Sequence, residues 1–217
     1  MADGIVGIAT STALGLAPAA PLADITARAT VDAVSRMFPA TPVRAITANL
    51  PFVLTALRDQ GLGDKSMVLM ALATIRAEVA SFEPISEGVS RFNTSPNGHH
   101  FDLYDFRKDL GNLGSPDGAR FRGRGFVQLT GRTNYTTYSV RLGLGTGLVD
   151  NPGKASDTVI AANLLALFLK DKERRIRETL LESDLAAARK LVNGGSHGLN
   201  DFVDAFRAGD RVIAAEG

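Results

Sequence analysis

The chain of 217 residues has no cysteine and no tryptophan, and its formal net charge is only +1. Without cysteine there is no disulfide framework, no thiolate nucleophile and no cysteine-ligated metal centre. Without tryptophan, stacking against a sugar ring would fall to Tyr104, Tyr135, Tyr138 or the phenylalanines. A near-zero charge argues against a dedicated nucleic-acid binder, which carries a basic stripe. It also gives little long-range pull toward anionic walls or membranes. Residues 4–23 are small and mildly apolar, but Pro18 and Pro21 make them a poor membrane span. The start Met-Ala-Asp lacks the positive region that opens a signal peptide. The expectation is therefore cytoplasmic synthesis without a cleaved leader, with export or release to a cell wall left open.

What is present is ordinary for a globular chain: 45% apolar and 22% charged residues. The length suits one domain. The expected division is a flexible lead-in over 1–23 and a single domain over 24–217, acting as a monomer. Helical patterns are read from Asp24 to about Phe38, over 43–60 with a break at Pro51, and over 66–80 after a cap at Asp64 or Ser66. In the last of these, Val68, Ala71, Leu72, Ile75 and Val79 form an apolar stripe. Further helices are expected at about 133–142, 156–181 with a break, 184–192 and 200–214, with Ser156 or Asp157, Ser183 and Asn200 as N-caps.

Between them, residues 81–132 are rich in glycine and proline and show no helical period. A loop of that length inside a compact domain is more often functional than not. It contains the most informative stretch, Phe121-Arg-Gly-Arg-Gly-Phe-Val-Gln-Leu-Thr-Gly-Arg-Thr-Asn-Tyr135. Strand-like alternation would set Arg124, Gln128 and Thr130 opposite Phe121, Val127 and Leu129. An apolar anchor under a row of amide, hydroxyl and guanidinium groups suits a wall against a polar, uncharged ligand such as a sugar. An edge strand with a solvated face reads equally well from alternation alone.

Two carboxylates stand near this stretch. Glu78 falls at the edge of the apolar stripe in the last turn of its helix, where desolvation and the helix dipole both favour a protonated carboxyl, the form a general acid needs. An ion pair with Arg76 or another cation at a helix end is the plain alternative. Glu87 lies nine residues on, in Phe82-Glu-Pro-Ile-Ser-Glu-Gly88. An acid on a rigid helix end and a carboxylate on a facing loop are the pair that glycoside hydrolysis uses. Glu83 competes with Glu87 for the second role. His99-His100-Phe-Asp102 lacks a well-spaced third metal ligand, so no metal and no cofactor are expected. No Ser/His/Asp set stands out among three histidines. The basic run 170–177 is mixed with acids and reads as a solvated helix face. Asn193-Gly-Gly195 reads either as a helix stop or as backbone approached closely by a ligand.

Four blocks, in this order, resemble glycoside hydrolase family 19, the chitinases and their relatives among phage and bacterial lysins. They are Ala73-Thr-Ile-Arg-Ala-Glu-Val-Ala-Ser-Phe82, Tyr104-Asp-Phe-Arg-Lys-Asp-Leu-Gly-Asn112, Phe121 to Tyr135, and Leu191-Val-Asn-Gly-Gly195. The third is the specific one. The resemblance covers roughly residues 40–212. It implies a mainly α, lysozyme-like α+β fold whose long loop-rich insert carries a small β-sheet. It implies Glu78 as general acid, Glu87 as general base and Thr130 as the hydroxyl that steadies the attacking water, with inversion at the anomeric carbon. Gln128, Asn134 and Asn193 would hydrogen-bond the substrate, Tyr104 and Tyr135 would contact it, and Arg207, or its rival Arg211, would lie near the site. The implied substrate is a polysaccharide of β-1,4-linked N-acetylhexosamine, peptidoglycan or chitin, the missing disulfides and tryptophan favouring peptidoglycan. A catalytically inactive glycan-binding relative is the alternative. The chain departs from the pattern at Val79-Ala-Ser81, where many members have threonine or serine followed by two glycines.

Overall fold

The computed structural model describes residues 22–195 and 197–213. The expected lead-in falls almost wholly on residues 1–21, outside the described residues. The expected break between 156 and 181 appears as two helices, and the helices after residue 131, apart from an unexpected short one at Gly147–Asp150, lie within a few residues of their predicted ranges. The α-helices of the described residues are α1 (Val31–Met37), α2 (Val43–Asp59), α3 (Lys65–Glu78), the short α4 (Asp117–Arg120), α5 (Arg132–Arg141), the short α6 (Gly147–Asp150), α7 (Thr158–Lys170), α8 (Glu173–Leu181), α9 (Leu185–Asn193) and α10 (Leu199–Val212).

Side-chain caps account for several of these starts. Thr30 accepts from Ala33 N ahead of α1, Asp64 from Met67 N ahead of α3, and Asp157 from Val159 N and Ile160 N ahead of α7. The first helix begins later than expected because Asp24 accepts from Thr26 N and closes a separate turn of 3-10 helix, Thr26–Arg28. Asp184, not Ser183, caps α9, and Gly198 with φ 67°, not Asn200, stands at the start of α10. No break occurs at Pro51: α2 runs through it. The carbonyl that loses its partner belongs to Thr47, which is exposed, so water can take the place of the missing donor.

α3 organises the core. The expected stripe is buried, but so is every residue from Met67 to Ile75. A helix that is apolar all round is enclosed on all sides. Here α10 and, to a lesser extent, α1, α2, α7 and α8 pack around it, while α2 and α7 pair with each other. The buried cluster runs continuously from Ile25 to Ile213. α10 comes close to α3 and α1 at Gly209, where a Cβ would lie 2.5 Å from Leu69 Cδ2 and 2.8 Å from Met37 Cε.

The insert 81–132 is held by turns and short helices. Where a small sheet was expected, the described residues contain two isolated antiparallel bridges, Ser86 with Arg124 and Arg124 with Leu129. The stretch from Phe121 is not one extended strand. It folds back on itself as Arg124 N donates to Leu129 O at 3.2 Å and Leu129 N to Arg124 O at 2.9 Å. The turn between them uses Gly125 at φ 75° and Gln128 at φ 50°. Phe121, Val127 and Leu129 are buried as predicted, but so is Arg124.

Because the α10 contact leaves no room at Gly209, Gly209→Val should overpack it. The expected cost is about 1–3 kcal/mol, read as a lower urea midpoint with an unchanged slope.

Candidate active site

α3 ends at Glu78, and the chain turns back at once. Phe82 anchors the turn: it is fully buried, sits at φ 57°, and packs edge-on to Phe38 at 4.8 Å. Its carbonyl accepts from Asn49 Nδ2 at 3.0 Å. From there residues 85–87 run beside the folded-back stretch. Gly125 N donates to Ile85 O at 3.0 Å, and Glu87 N donates to Gly123 O at 2.8 Å. Glu87 thus returns toward the end of α3, and it and Glu78 line one cleft of about 480 Å³ with Tyr104, Gln128, Thr130, Asn134 and Asn193. That volume is within the range of small-ligand sites. Glu83, the competing carboxylate, is exposed and is not in the lining.

Glu87 is fastened by donors alone. Asn93 Nδ2 at 2.9 Å and the Tyr104 hydroxyl at 3.0 Å reach Oε1, and Gly123 N reaches Oε2 at 3.1 Å. A carboxylate accepts only, so the set matches its lone pairs. Glycine at 123 permits this approach: a Cβ there would lie 2.8 Å from Gln128 Oε1, 3.2 Å from Glu87 Oε2 and 3.3 Å from Thr130 Oγ1. Burial, and then the neighbouring Glu87 charge, push the Tyr104 phenol up to about 12, which keeps it a donor.

Across the polar wall, Gln128 gives Nε2 to Ile85 O and Gly125 O, while its Oε1 makes no protein hydrogen bond among the described residues. Thr130 Oγ1 donates to Gln128 O at 2.9 Å, and Asn134 Nδ2 donates to Thr130 O at 2.7 Å. Asn193 has both ends of its amide engaged: Nδ2 donates to His197 O and Oδ1 accepts from Gly195 N. It shapes the cleft by holding the turn after α9.

Two expected site residues lie elsewhere. Tyr135 is fully buried against Phe121 and donates to Arg122 O while accepting from Arg124 Nη1 at 2.8 Å. It braces the wall from behind and cannot touch a ligand. Arg124 likewise turns inward, to Tyr135 and the carbonyls of Arg120 and Arg122, since a buried guanidinium must be hydrogen-bonded. Arg207 and its rival Arg211 line a separate hollow with Arg76 and Asp201.

The cation beside Glu78 is Arg189 of α9, which was not anticipated. It is completely buried, and its Nη1 lies 2.8 Å from Glu78 Oε1. That contact is off the hydrogen-bond axis, so Nη1 has no aligned acceptor and the attraction is one of charge. Nε and Nη2 both donate to His197 O. The signal was available in Leu185-Ala-Ala-Ala-Arg189: a lone cation on an alanine-rich face needs a partner if that face is buried. His197 and Phe168 also line the cleft and were not singled out.

The insert brings together a Ser/His/Asp group that spacing had hidden. His99 Nε2 lies 2.7 Å from Asp105 Oδ2 and 3.2 Å from Ser115 Oγ. Both contacts fall on one ring nitrogen, whereas a proton relay needs one on each. The neighbouring Asp102 accepts from Ser95 N and Ser95 Oγ. Both histidine and aspartate serve to hold the loop.

No protein-family model matches the sequence. Solved structures do share its fold. Chitinase C from Streptomyces griseus superposes with a TM-score of 0.55 at 16% identity, over 86% of this chain and 92% of that one. A class IV chitinase of glycoside hydrolase family 19 from Zea mays superposes with a TM-score of 0.53 at 16% identity, over 91% and 96%. The chain has the mainly α, lysozyme-like fold of the family 19 chitinases. At this identity the likeness is one of fold.

Removing one member of the Glu78–Arg189 pair leaves a charge buried alone. Glu78→Gln should cost about 3–5 kcal/mol in urea unfolding, and the double variant Glu78→Leu with Arg189→Met should recover most of it. The phenol of Tyr104 should stay protonated in the folded protein well past pH 10. Tyrosinate absorbance, compared between wild type and Tyr104→Phe, should show its titration near pH 12, and Glu87→Gln should bring it part of the way down.

Proposed function

We propose that the chain, as one domain from residue 24 onward, is a glycoside hydrolase that cleaves β-1,4 bonds in N-acetylhexosamine polymers, peptidoglycan or chitin, with inversion. The observation that carries the proposal is that Glu78 and Glu87 share one cleft with Gln128, Thr130 and Asn134. The fold likeness to chitinases supports it. Between the two polymers, the absence of cysteine and tryptophan favours peptidoglycan.

In this reading Glu78, which rests as the carboxylate paired with Arg189, takes up a proton from solvent and then gives it to the leaving glycosidic oxygen. Glu87, oriented by Asn93, Tyr104 and Gly123, takes a proton from water as that water attacks the anomeric carbon from the opposite face. The Thr130 hydroxyl already donates its hydrogen bond to Gln128 O, so its oxygen is left to accept a hydrogen bond from the water. Arg189 then faces the carboxylate left on Glu78. It positions that group and balances its charge without reaching the sugar, since it has no exposed surface. Gln128 Oε1 is an acceptor for a substrate hydroxyl or amide N–H.

The test is clearing of purified peptidoglycan and release of oligosaccharides from chitin, with wild type, Glu78→Gln and Glu87→Gln. Wild type should cleave one of the polymers. Each variant should lose activity by about a hundredfold or more, as expected for an acid or base in the transition state. Since Glu78→Gln also breaks the buried ion pair, Glu87→Gln is the cleaner variant. A folded wild type that cleaves neither polymer but still binds one would overturn the enzymatic reading in favour of a glycan-binding role.

A further inference from the structure

We propose that the hollow where α1, α3 and α10 meet binds a phosphate-bearing ligand, at a place distinct from the cleft. Arg76 and Glu78 are two residues apart on α3, about 200° around the helix. Glu78 lines the cleft, and Arg76 lines this hollow with Arg36, Arg207, Arg211, Asp201 and Asp204.

Four arginines line the hollow with two aspartates, and Asp32 pairs with one of those arginines, which leaves a local excess of one positive charge. The entire chain has a net charge of only +1. Arg76 is paired with Asp201 at 2.9 Å and Arg36 with Asp32 at 2.9 Å. Arg207 and Arg211 have no ion pair among the described residues. They stand four apart on α10, with Asp204 three residues before Arg207, so two like charges share one helix face and an added anion between them would ease their repulsion.

The cations are all arginine, whose planar fork matches two oxygens of a phosphate at once. The hollow measures about 420 Å³, more than ten times the roughly 30 Å³ that one water occupies in the liquid. It can take more than a single tetrahedral anion. A phosphate within a phosphodiester chain uses the arginines and fills the remaining space; free inorganic phosphate uses the arginines alone.

Binding is read by calorimetry with two probes, inorganic phosphate and a poly(glycerol phosphate) chain. Wild type should bind at least one of them, more weakly as sodium chloride rises. Arg207→Ala with Arg211→Ala should reduce affinity tenfold or more while hydrolysis of soluble oligosaccharide stays unchanged. Asp204→Asn, which removes a competing negative charge, should raise affinity severalfold. Tighter binding of the chain, per phosphate, identifies a phosphodiester polymer; equal binding identifies free phosphate. No binding of either probe, or binding indifferent to both the arginine and the Asp204 substitutions, would overturn the proposal. The binding readouts do not depend on whether the cleft hydrolyses glycan.

Discussion

The site depends on one buried charge. Arg189 has no exposed surface, yet it carries a guanidinium that must be compensated. Its compensation comes from two sources that are remote in sequence: the Glu78 carboxylate at the end of α3 and the His197 carbonyl after α9. One side chain thereby fixes the end of the central helix, the turn after α9 and the rotamer of Glu78. Because α3 is enclosed on all sides, Glu78 has a rigid base, and the direction in which it leaves that base is set by Arg189.

The opposite wall is built by hydrogen bonds. Phe82 turns the chain at the end of α3, and backbone pairing of residues 85–87 with 123–125 carries Glu87 back alongside the helix it came from. Tyr135 and Arg124 brace the wall from within, leaving Gln128 and Thr130 on the cleft side. Most of the polar groups around the cleft hold one another: Asn193 the turn, Asn93 and Tyr104 the Glu87 carboxylate, Gln128 its own loop. Few atoms remain for a ligand, which is how a site built on irregular backbone keeps its geometry.

The later helices, where apolar period and capping agreed, were legible in sequence. The two carboxylates were legible too, since a helix end and the loop after it are close by chain connectivity alone. What escaped depends on which way a side chain turns. Alternation assigned Arg124 to the ligand side, but the tight turn at Gly125 and Gln128 rotates it into the core. Tyr135 belongs to the informative stretch yet faces inward, because α5 presents it to Phe121. Arg207 was expected near the cleft from the family resemblance, whereas it lines a separate hollow with Arg76 on another side of α3. Arg189 was hidden in an alanine-rich helix that looked unremarkable until the helix was seen to be covered. The enclosure of α3 follows from helix packing over distances that a single sequence window does not span.

The central claim is a single displacement between Glu78 and Glu87 on opposite faces of the sugar. It is tested most directly by proton NMR of the first product formed from a soluble β-1,4-linked N-acetylglucosamine oligomer, read before mutarotation. Inversion requires the α-anomer to appear first. An initial β-anomer would mean retention and would contradict the assignment of Glu87 as a base acting through water.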